Sequence, residues 1–387
     1  CRLGDVCTFL SGGTPKIDVK EFWNGTIPFV SAISMHDTYI LDSKSHISEE
    51  GLKHGSRLLT KNNLLLLVRG SMLWNTIPIC LNKNDVAFNQ DVKGIIANDT
   101  INNEFLLYWL KSKEQRLKYM VTGTGLGAGK LDTSDLLSMI VYIPAMKEQD
   151  KVARLLSLFD ERIATQSKII DKLQSLIKGL EDNLLDNPLW EKTYLRSFMQ
   201  FFSTNSLSWE QLSYEEGEIR NLHYGLIHGF QTRGINSASL PMIKNEAIPK
   251  QYTLCQVGDV AFADASEDTS EIAKSVEFAD TIEGYTICGL HTIHGRDIKN
   301  RTVVGFKGFA FNSRYFHNQI KRLAQGTKVF SITANNLSSC YVYLPDFDTQ
   351  KAIVKLLKAY EEKLLVSKRL LEQYEKQKQY LLRQMFI

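Results

Sequence analysis

One stretch of this sequence has the composition of a phosphate-binding loop. Residues 122–130 read TGTGLGAGK, with four glycines among small residues and a lysine at the end. A phosphate-binding loop follows a strand and opens a helix, and Gly129-Lys130 lacks the required glycine at position 124, which is threonine. Because the stretch follows a helical pattern instead, we expect a tight turn that brings Lys130 close to a neighbouring polyanion.

A second set of residues has the spacing of metal ligands. Cys288, His291 and His294 form a C-x2-H-x2-H pattern. A structural zinc site takes four ligands with a second pair at similar spacing, and no second pair follows in the sequence. On an alternating strand, positions 288 and 294 share one face and position 291 lies on the other. We therefore expect a strand and no metal, with His291 available for contacts to phosphates or base edges.

A third motif suggests catalysis. Residues 187–190 read NPLW, which resembles the N-P-P-Y/F loop that holds a flipped adenine in amino-methyltransferases. The second proline is missing, the tetrapeptide follows a long helical pattern, and no glycine loop for S-adenosylmethionine accompanies it. We interpret it as a helix stop and turn. An adenine-N6 methyltransferase that uses Asn187–Trp190 is kept as the alternative function.

The charge of the chain is unevenly distributed. The formal net charge is only +3, but residues 286–330 carry eight Lys or Arg against a single acidic residue, Asp297. Such a block is either a solvated face or a surface that meets a polyanion. Nucleic acid is the polyanion that the remaining features favour.

Composition limits the class of protein. At 387 residues the chain is expected to hold two or three domains, and 43% apolar with 23% charged residues is typical of a globular protein. The longest aliphatic run, residues 64–68, is far shorter than the roughly 20 residues of a membrane span. Six scattered cysteines without a CxxC pair indicate reduced, mostly buried thiols. We expect a cytoplasmic protein with no membrane association.

The sequence contains an internal repeat at an offset of 201 residues. The segment from Ile143 (IPAMKEQDKVARLLSLFDERI) matches the segment from Leu344 (LPDFDTQKAIVKLLKAYEEKL) without a gap. Pro144 pairs with Pro345 and Gln149 with Gln350, and the offset extends upstream to pair residue 105 with 306 and 125 with 326. The chain is therefore predicted to contain two copies of one plan.

Each copy ends in a long helix with a heptad seam. Apolar residues recur at alternating spacings of four and three in both helices, and one polar break, Gln166 or Ser367, occupies the same position in each. A 3.5-residue period over about five heptads predicts coiled-coil packing, with separate amphipathic helices as the alternative. The representative seam positions are Leu156, Ile163, Ile170, Leu357, Leu364 and Leu371.

These patterns define an expected architecture. We expect two tandem copies of a mixed α/β (α+β) domain, each followed by a long α-helix. If an approximate two-fold axis relates the copies, the two helices run antiparallel and form a coiled coil. The expected boundaries are residues 1–143 and 188–344 for the mixed domains, and residues 144–187 and 345–387 for the helices. Helices are further expected near residues 103–119 and 309–324.

With this order the chain resembles the specificity (S) subunits of type I restriction-modification systems. The resemblance covers essentially the whole length and rests on SGGTP near the start, on NQDVKGI and CGLHTI, and on LAQGTKVFSI. It rests further on the two "P…EQ" and "P…TQ" helices that close the copies. The second copy departs from the first at its beginning, where STNSLSWEQLSYEEGEIRNLHYG stands in place of SGGTPKIDVKEFW.

The resemblance implies a non-catalytic role in DNA recognition. In that family two target-recognition domains each read one half of an asymmetric bipartite DNA sequence, and the helices set the half-site spacing and dock two methyltransferase subunits. Endonuclease/translocase (restriction) subunits complete the enzyme. No cofactor is then expected in this chain, and S-adenosylmethionine is expected on the partner methyltransferase subunits.

Candidate DNA contacts come from the loops of both copies. Arg and Lys pair with guanine and Asn and Gln with adenine, while most contacts go to phosphates. In the first copy the candidates are Lys16, Arg69, Ser71, Trp74, Gln90 and Lys130. In the second copy they are Arg233, His291, Arg296, Lys299, Arg314, Lys321 and Lys328.

Overall fold

The fold is described from a computed structural model, which covers residues 1–125, 127–230, 233–280, 282 and 284–386. The chain divides into two compact units. The first unit contains residues 1–167 and 370–387, and the second contains residues 168–369.

The centre of the first unit is a strand of four leucines. Leu64–Leu67 is buried at every position, as expected for a short apolar run that follows the turn at Asn62-Asn63. The strands of this unit are β1 (Cys7–Ser11), β2 (Ile27–Val30), β3 (Tyr39–Ile40), β4 (Ser45–Ile47), β5 (Leu58–Leu59), β6 (Leu64–Leu67), β7 (Arg69–Gly70), β8 (Ile79–Asn82), β9 (Val86–Phe88), β10 (Val92–Ala97), β11 (Thr122–Gly123) and β12 (Gly129–Lys130).

These strands form three sheets. The main sheet has the order β1-β10-β6-β8-β3, so that the leucine strand lies in its middle. A second sheet has the order β4-β2-β9-β5 and contains one parallel pair, β2 with β9. The short strands β11, β12 and β7 form a third sheet that continues from the end of β6.

Six short helices complete the first unit: α1 (Leu3–Val6), α2 (Lys20–Trp23), α3 (Glu49–Lys53), α4 (Asn103–Ser112), α5 (Glu114–Tyr119) and α6 (Thr133–Ser138). Asn102 caps α4, because its side-chain oxygen accepts from the backbone N–H of Phe105. The single helix expected over residues 103–119 is wrong, since the chain leaves helical geometry at Lys113. There the Ser112 hydroxyl donates to the Trp109 carbonyl and competes with the backbone.

The second unit has twelve strands among its described residues: β13 (Glu191–Tyr194), β14 (Met199–Phe202), β15 (Leu212–Ser213), β16 (Ile219–Leu222), β17 (Met242–Ile243), β18 (Val260–Ala263), β19 (Ala265–Ser266), β20 (Ser275–Glu277), β21 (Tyr285–Cys288), β22 (Thr292–Asp297), β23 (Phe330–Ser331) and β24 (Tyr341–Leu344). Its larger sheets have the orders β14-β22-β18-β20 and β15-β17-β16-β21, and the pairs β13-β24 and β19-β23 are separate.

The shorter helices of the second unit are α8 (Tyr224–Gly229), α9 (Phe306–Ala310), α10 (Arg314–Leu323) and α11 (Ala334–Ser339). The helix expected over residues 309–324 is correct only from residue 314 onward. Ser313 begins α10 as its cap, with the hydroxyl accepting from the backbone N–H of Phe316. The preceding residues belong to α9, which ends before this cap.

Both units use the same strand order. The main sheet runs β1-β10-β6-β8 in the first unit and β14-β22-β18-β20 in the second. In each unit the neighbouring sheet contains one parallel pair, β2 with β9 and β16 with β21. A two-residue strand then follows the central strand and pairs with a later segment, β7 with β12 and β19 with β23. The repeat in the sequence is therefore accompanied by a repeat in topology.

Two long helices close the two repeats. Met146–Leu185 (α7) has 40 residues and Phe347–Met385 (α12) has 39, so each is about 60 Å long. In the first unit Asp160 of α7 pairs with Lys378 of α12, and Arg162, further along α7, meets Tyr374, which is earlier in α12. The two helix segments in this unit therefore run antiparallel.

The second unit contains the other halves of these helices. Ile177 and Glu181 of α7 line the same cavity as Leu364 and Glu361 of α12. Arg233 joins the two glutamates, since its guanidinium lies 3.7 Å from Glu181 and its backbone N–H donates to Glu361. Arg233 therefore connects the two long helices within this unit.

The burial of the long helices follows the predicted seam. Leu156 and Leu357 are fully buried and Ile170 is 8% exposed, while Ile163, Leu364 and Leu371 are half-buried. The polar breaks Gln166 and Ser367 are also buried. The recurring polar position therefore belongs to the buried face of each helix, although its side chain is not apolar.

A buried glutamine anchors each long helix to the strands and loops beside it. The Gln149 oxygen accepts from the backbone N–H of Asn102 at 2.8 Å, and its amide donates to the carbonyls of Thr100 and Pro144, both at 3.0 Å. The Gln149 side chain is only 1% exposed. One side chain thus satisfies three backbone groups at the start of α7.

Gln350 makes the same three bonds in the second unit. Its oxygen accepts from the backbone N–H of Val303 at 2.9 Å, and its amide donates to the carbonyls of Arg301 at 3.1 Å and Pro345 at 3.0 Å. All four residues lie 201 positions after their counterparts. This contact explains in physical terms why the two "P…EQ" and "P…TQ" segments match.

Replacing either buried glutamine should strongly destabilise the protein. Gln149→Leu or Gln350→Leu is expected to lower the free energy of unfolding by about 2–4 kcal/mol, because each buried backbone group left unpaired costs about 1–3 kcal/mol. Urea unfolding followed by circular dichroism measures the change. Gln174→Leu, at an exposed position of α7, is the matched control and should stay within about 0.5 kcal/mol of the wild type. Equal stability of all three variants would contradict the anchor.

Candidate nucleic-acid interface

The glycine-rich stretch of the first unit forms a hairpin beside the central sheet. Thr122 faces Lys130 and Gly123 faces Gly129 in this hairpin, and Lys130 in turn lies opposite Arg69 of β7. Leu126, in the loop, lies outside the described residues. We name residues 69–74 and 122–130 the first arm. The glycine loop connects the two strands of a hairpin and does not join a strand to a helix, so the phosphate-loop interpretation fails on structure as well as on sequence.

Trp74 holds the loop of the first arm. Its indole N–H donates to the carbonyl of Gly127 at 3.0 Å, and the ring is 49% exposed. Ser71 begins the short 3-10 helix that carries this tryptophan. Gly129 is required for packing, because a Cβ there would lie 2.7 Å from the Val121 side chain. The arm therefore presents an aromatic face next to exposed backbone.

The remaining first-unit candidates lie next to the first arm. Gln90 is exposed in the turn between β9 and β10, where its side-chain oxygen accepts from the Thr14 hydroxyl at 2.7 Å. The backbone carbonyl of the next residue, Asp91, accepts a hydrogen bond from the backbone N–H of Arg69 at 3.3 Å. Lys16 is exposed two residues after Thr14. The structure thus brings Arg69, Ser71, Trp74, Gln90 and Lys130 together, and Lys16 follows on the loop bonded to Gln90.

The two cations of the first arm differ in whether they have an ion-pair partner. Lys130 is 2.9 Å from Asp132 and partly neutralised by it. The guanidinium of Arg69 is exposed and has no hydrogen-bonding or ion-pair partner among the described residues. Arg69 is therefore the side chain best placed to contact an external anion.

The second unit has an arm at the corresponding position. Ala265-Ser266 pairs with Phe330-Ser331, and Gln325 bridges to Ser331, so Lys328 lies exposed in a short hairpin. We name residues 264–266 and 325–331 the second arm. Asp264, at its base, donates its backbone N–H to the carbonyl of His291 and pairs with the His291 ring at 3.0 Å. His291 and Lys328 are therefore both placed at this arm.

The single strand expected through residues 288–294 is wrong. Cys288 ends β21, His291 lies in the turn that follows with φ of 53°, and His294 belongs to β22. The turn is needed because β21 and β22 lie in different sheets. Cys288 and His294 are nevertheless close to each other, because the turn brings the two strands back together.

Two predicted contact residues have their charges engaged inside the second unit. The Arg296 guanidinium donates to both carboxylate oxygens of Asp259 at 2.7–2.8 Å and to the Leu254 carbonyl. Arg233 bridges the long helices through Glu181 and Glu361. Both arginines are better explained as internal supports than as surface contacts.

The other three candidates are Arg314, Lys321 and Lys299. Among the described hydrogen bonds and ion pairs, none joins them to the second arm. Arg314 is exposed on α10 and pairs with Asp182 of α7 at 3.3 Å. Lys321, also on α10, is exposed, and both side chains line a cavity with Glu181 and Glu361. Lys299 is exposed after the end of β22. These three residues share a positive charge but are not gathered at one site.

An aromatic cluster beside the second arm was missed from the sequence. Tyr224 stacks edge-on to the His291 ring at 5.2 Å, and His223 links Tyr224 to Trp209, with ring centroids 4.8 and 4.5 Å away. Trp209 is 46% exposed. Its signal was the segment that departs from the first copy, SWEQLSYEEGEIRNLHYG. Exposed aromatic rings next to a cationic loop suit stacking against nucleic-acid bases.

The glutamate that meets Arg233 should make stability depend on pH. Burial raises the pKa of Glu361 to about 7, although Arg233 and Lys358 act in the opposite direction and Glu181 adds to the rise. A carboxyl with a raised folded-state pKa contributes stability below pH 4.5, and this contribution is lost as the pH rises through about 7. Glu361→Gln changes the free energy of unfolding relative to the wild type, and we compare this change at two pH values. We expect the change to be more favourable at pH 8 than at pH 5 by roughly 2 kcal/mol. Urea unfolding at the two pH values tests this, with exposed Glu362→Gln as the control.

The motif at residues 187–190 forms a turn after α7. The backbone N–H of Trp190 donates to the Asn187 carbonyl at 3.0 Å, and the Asn187 side chain accepts from the N–H of Leu189. Leu189 is 92% exposed. This matches the predicted helix stop and turn.

No long helix of the described residues is apolar enough to cross a membrane.

Comparison with known proteins shows which class the chain resembles. The family model for the type I restriction modification DNA specificity domain matches residues 1–175. The specificity subunit of the type I restriction enzyme EcoR124I/EcoR124II of Escherichia coli is 31% identical over 160 residues, which are 41% of this chain and 40% of that protein. The MjaVIII specificity subunit of Methanocaldococcus jannaschii is 24% identical over 97% of this chain and 89% of that protein.

Solved structures agree on the fold. The crystal structure of the S subunit of a type I restriction-modification system from M. genitalium superposes with a TM-score of 0.61 at 16% identity, over 100% of this chain and 95% of that one. In sequence and in fold the chain is therefore similar to the specificity subunits of type I restriction-modification systems. Nothing in these relatives supports the methyltransferase alternative at residues 187–190.

Proposed function

We propose that this chain is the sequence-specific DNA-recognition subunit of a type I restriction-modification complex. Each unit reads one half of an asymmetric bipartite target, and the chain itself catalyses no reaction. The observation that carries the proposal is the pair of arms, because two units of equal topology each extend a loop with an exposed cationic side chain, Arg69 or Lys328, beside the same strand of the sheet. Different side chains on the two arms suit two different half-sites.

The proposed contact set differs from the set predicted from the sequence. We retain Lys16, Arg69, Ser71, Trp74, Gln90 and Lys130 in the first unit, and His291, Lys299, Arg314, Lys321 and Lys328 in the second. Trp209, which is exposed, and Tyr224, which is half-buried, are added to the second set, and the buried His223 supports them. Arg233 and Arg296 are left out, because their side chains are only 28% and 21% exposed and already pair with buried carboxylates, whereas Arg314 is 67% exposed.

We further propose that the long helices form one antiparallel coiled coil that sets the half-site spacing. The domains then follow the boundaries 1–143, 144–187, 188–344 and 345–387. Support comes from the seam burial and from the antiparallel contacts between the two helices in the first unit. The same helices dock two methyltransferase subunits, and restriction subunits complete the complex. The chain binds no cofactor for methyl transfer itself, and S-adenosylmethionine belongs to the partner methyltransferase subunits.

The proposal predicts a catalytic division of labour. The purified chain alone should transfer no methyl group from labelled S-adenosylmethionine to duplex DNA. Addition of its methyltransferase partner should restore transfer. Methyl transfer by the isolated chain would contradict the proposal, and so would equal activity of the partner without the chain.

Loss of the first-arm cation should weaken DNA binding. Arg69→Ala in the assembled methyltransferase complex is expected to raise the Kd for target duplex about 5- to 100-fold, since one side chain that contacts a base or phosphate contributes about 1–3 kcal/mol. If the contact is to a phosphate, the slope of log K against log salt should fall by about one. Fluorescence anisotropy over a salt series measures both quantities.

The matched control is Lys147→Ala, an exposed cation at the start of α7. It removes the same charge outside the arm and should leave Kd within about twofold, as expected for a charge that makes no DNA contact. If both variants weaken binding equally, the effect is one of net charge and the arm is not the contact surface.

A further inference from the structure

Three buried side chains of the second unit form a cluster that DNA reading does not use. The sulfur atoms of Cys255 and Cys288 lie 3.6 Å apart, and a ring nitrogen of His294 and both sulfurs all lie within 4.8 Å of one another. Their exposed fractions are only 7%, 3% and 1%. Two thiolates and an imidazole are ligands that Zn²⁺ and other thiophilic metals prefer.

We propose that Cys255, Cys288 and His294 bind one thiophilic metal ion, with Zn²⁺ as the expected occupant. Tetrahedral zinc with Zn–S bonds of about 2.3 Å places two sulfur ligands about 3.8 Å apart. The separation of 3.6 Å in this fold is close to that value, so the thiols need little movement to bind. Binding releases the two thiol protons, and the resulting site of Zn²⁺, two thiolates and a neutral imidazole carries no net charge.

The histidine is oriented in the way that zinc sites require. Nε2 of His294 lies 2.7 Å from a carboxylate oxygen of Asp259, which is itself held by Arg296 and by the backbone N–H of Gln256. When the Nε2–H donates to Asp259, Nδ1 is left with the lone pair for a metal. A carboxylate that fixes the tautomer of a ligating histidine is a regular feature of zinc centres.

A cavity beside Cys288 and His294 has room for water. A cavity of about 40 Å³ is lined by Cys288 and His294 together with Ser203, Thr204 and Asn205. About 10–15 Å³ suffices for one water molecule, and the hydroxyl and amide groups provide hydrogen-bonding partners. The site therefore has three protein ligands and space for solvent beside two of them.

Strand register identifies the matching positions in the first unit. In the first unit Val92, the first residue of β10, lies opposite Leu67, the last residue of β6. In the second unit Thr292, the first residue of β22, lies opposite Ala263, the last residue of β18. Position 92 therefore corresponds to position 292, and position 94 to position 294.

The parallel pairs give a second correspondence. Phe88 ends β9 opposite Val30, and Cys288 ends β21 opposite Leu222, so position 88 corresponds to position 288.

Cys255 corresponds to Leu59. The backbone N–H of Cys255 donates to the carbonyl of Thr286, and Leu59 lies opposite Val86, the residue that matches Thr286. The position of the cluster is thus occupied in the first unit by Leu59, Phe88 and Gly94.

These three residues are also in mutual contact. A Cβ built on Gly94 would lie 3.0 Å from the Phe88 ring and 3.1 Å from the Leu59 side chain. The first unit therefore fills this place with an apolar leucine–phenylalanine contact, whereas the second fills it with two thiols and an imidazole. The fold does not require cysteine or histidine here, so their joint presence in one unit points to a ligand.

A metal at this position would join parts of the second unit that lie in different sheets. Cys288 ends β21 and His294 lies in β22, and the turn between these strands carries His291. The metal would thus stiffen the turn that presents His291 at the second arm. The inference does not depend on the proposed function, because it is tested by metal content.

The test measures zinc in the full-length chain by mass spectrometry of the metal after purification without chelators. We expect about one zinc ion per chain in the wild type, and less than one tenth of that in Cys255→Ser and Cys288→Ser. Cys340→Ser, which alters a buried thiol of the same unit outside the cluster, should keep its zinc. Asp259→Asn should weaken zinc binding about 10- to 100-fold.

Two further measurements protect the test against misfolding. Replacement of zinc by Co²⁺ should give a thiolate-to-metal charge-transfer absorption that is lost in Cys288→Ser. A variant that copies the first unit, Cys255→Leu with Cys288→Phe and His294→Gly, should keep the wild-type circular dichroism spectrum but bind no metal. Absence of zinc together with absence of a cobalt spectrum would overturn the proposal, as would a disulfide between Cys255 and Cys288 found by peptide mapping under native conditions.

Discussion

Glu277→Leu is expected to lower the free energy of unfolding by about 3–5 kcal/mol, because it leaves the ammonium group of Lys307 buried without a counter-charge. The two side chains are 0% and 2% exposed, and Lys307 Nζ lies 2.9 Å from Glu277. Glu277 also accepts the backbone N–H of Gly308 at 2.8 Å, so a second buried group loses its partner. Urea unfolding of the full-length chain measures the change.

A double variant separates the ion pair from general packing. Glu277→Leu combined with Lys307→Met removes both charges and should recover most of the loss, since buried pairs replaced by apolar residues are often tolerated. A coupling energy of at least about 2 kcal/mol in the double-mutant cycle is expected for groups in direct contact. Additive effects of the two single variants would show that the charges do not stabilise each other.

Lengthening both long helices by one heptad is expected to change the spacing of the DNA target without changing its half-sites. Insertions after Ser167 of α7 and after Arg369 of α12 fall at the division between the two units. Seven residues add about 10 Å to each helix and preserve the seam, because the heptad is the repeat of the packing. This corresponds to about three base pairs at a rise of about 3.4 Å.

Methylation mapping in cells that carry the variant and its methyltransferase measures the outcome. A longer spacer between unchanged half-sites supports the proposed ruler, and so does loss of methylation when only one helix is lengthened, since the seam then loses register. Altered half-site letters, or an unchanged spacer with both insertions, would contradict it.

Much of the fold follows from patterns that extend over long stretches of sequence. The heptad spacing predicts α7 and α12, and the match of Gln149 with Gln350 corresponds to identical sets of three backbone hydrogen bonds. Local interruptions were not predictable. The break at Lys113 depends on a serine–carbonyl bond, and the turn at His291 depends on two strands belonging to different sheets. Neither feature changes the hydrophobic period.

The candidate site was predictable in part for a related reason. Loop position and residue type indicate Arg69 and Lys130, and the structure adds that the two lie opposite each other in adjacent strands. The internal roles of Arg233 and Arg296 depend on carboxylates 37 to 128 residues away, which composition does not reveal. Cys255 likewise reaches Cys288 only through strand pairing across 33 residues, so the C-x2-H-x2-H pattern alone gives an incomplete set of ligands.

The central claim is that this chain determines which DNA sequence is methylated. The most direct measurement maps methylated adenines at single-base resolution in cells that carry the methyltransferase partner with this chain, and in cells that carry the partner alone. We predict one bipartite motif with two different half-sites and a fixed spacer, present only with this chain. The same motif in cells without the chain, or a single uninterrupted motif, would contradict the account.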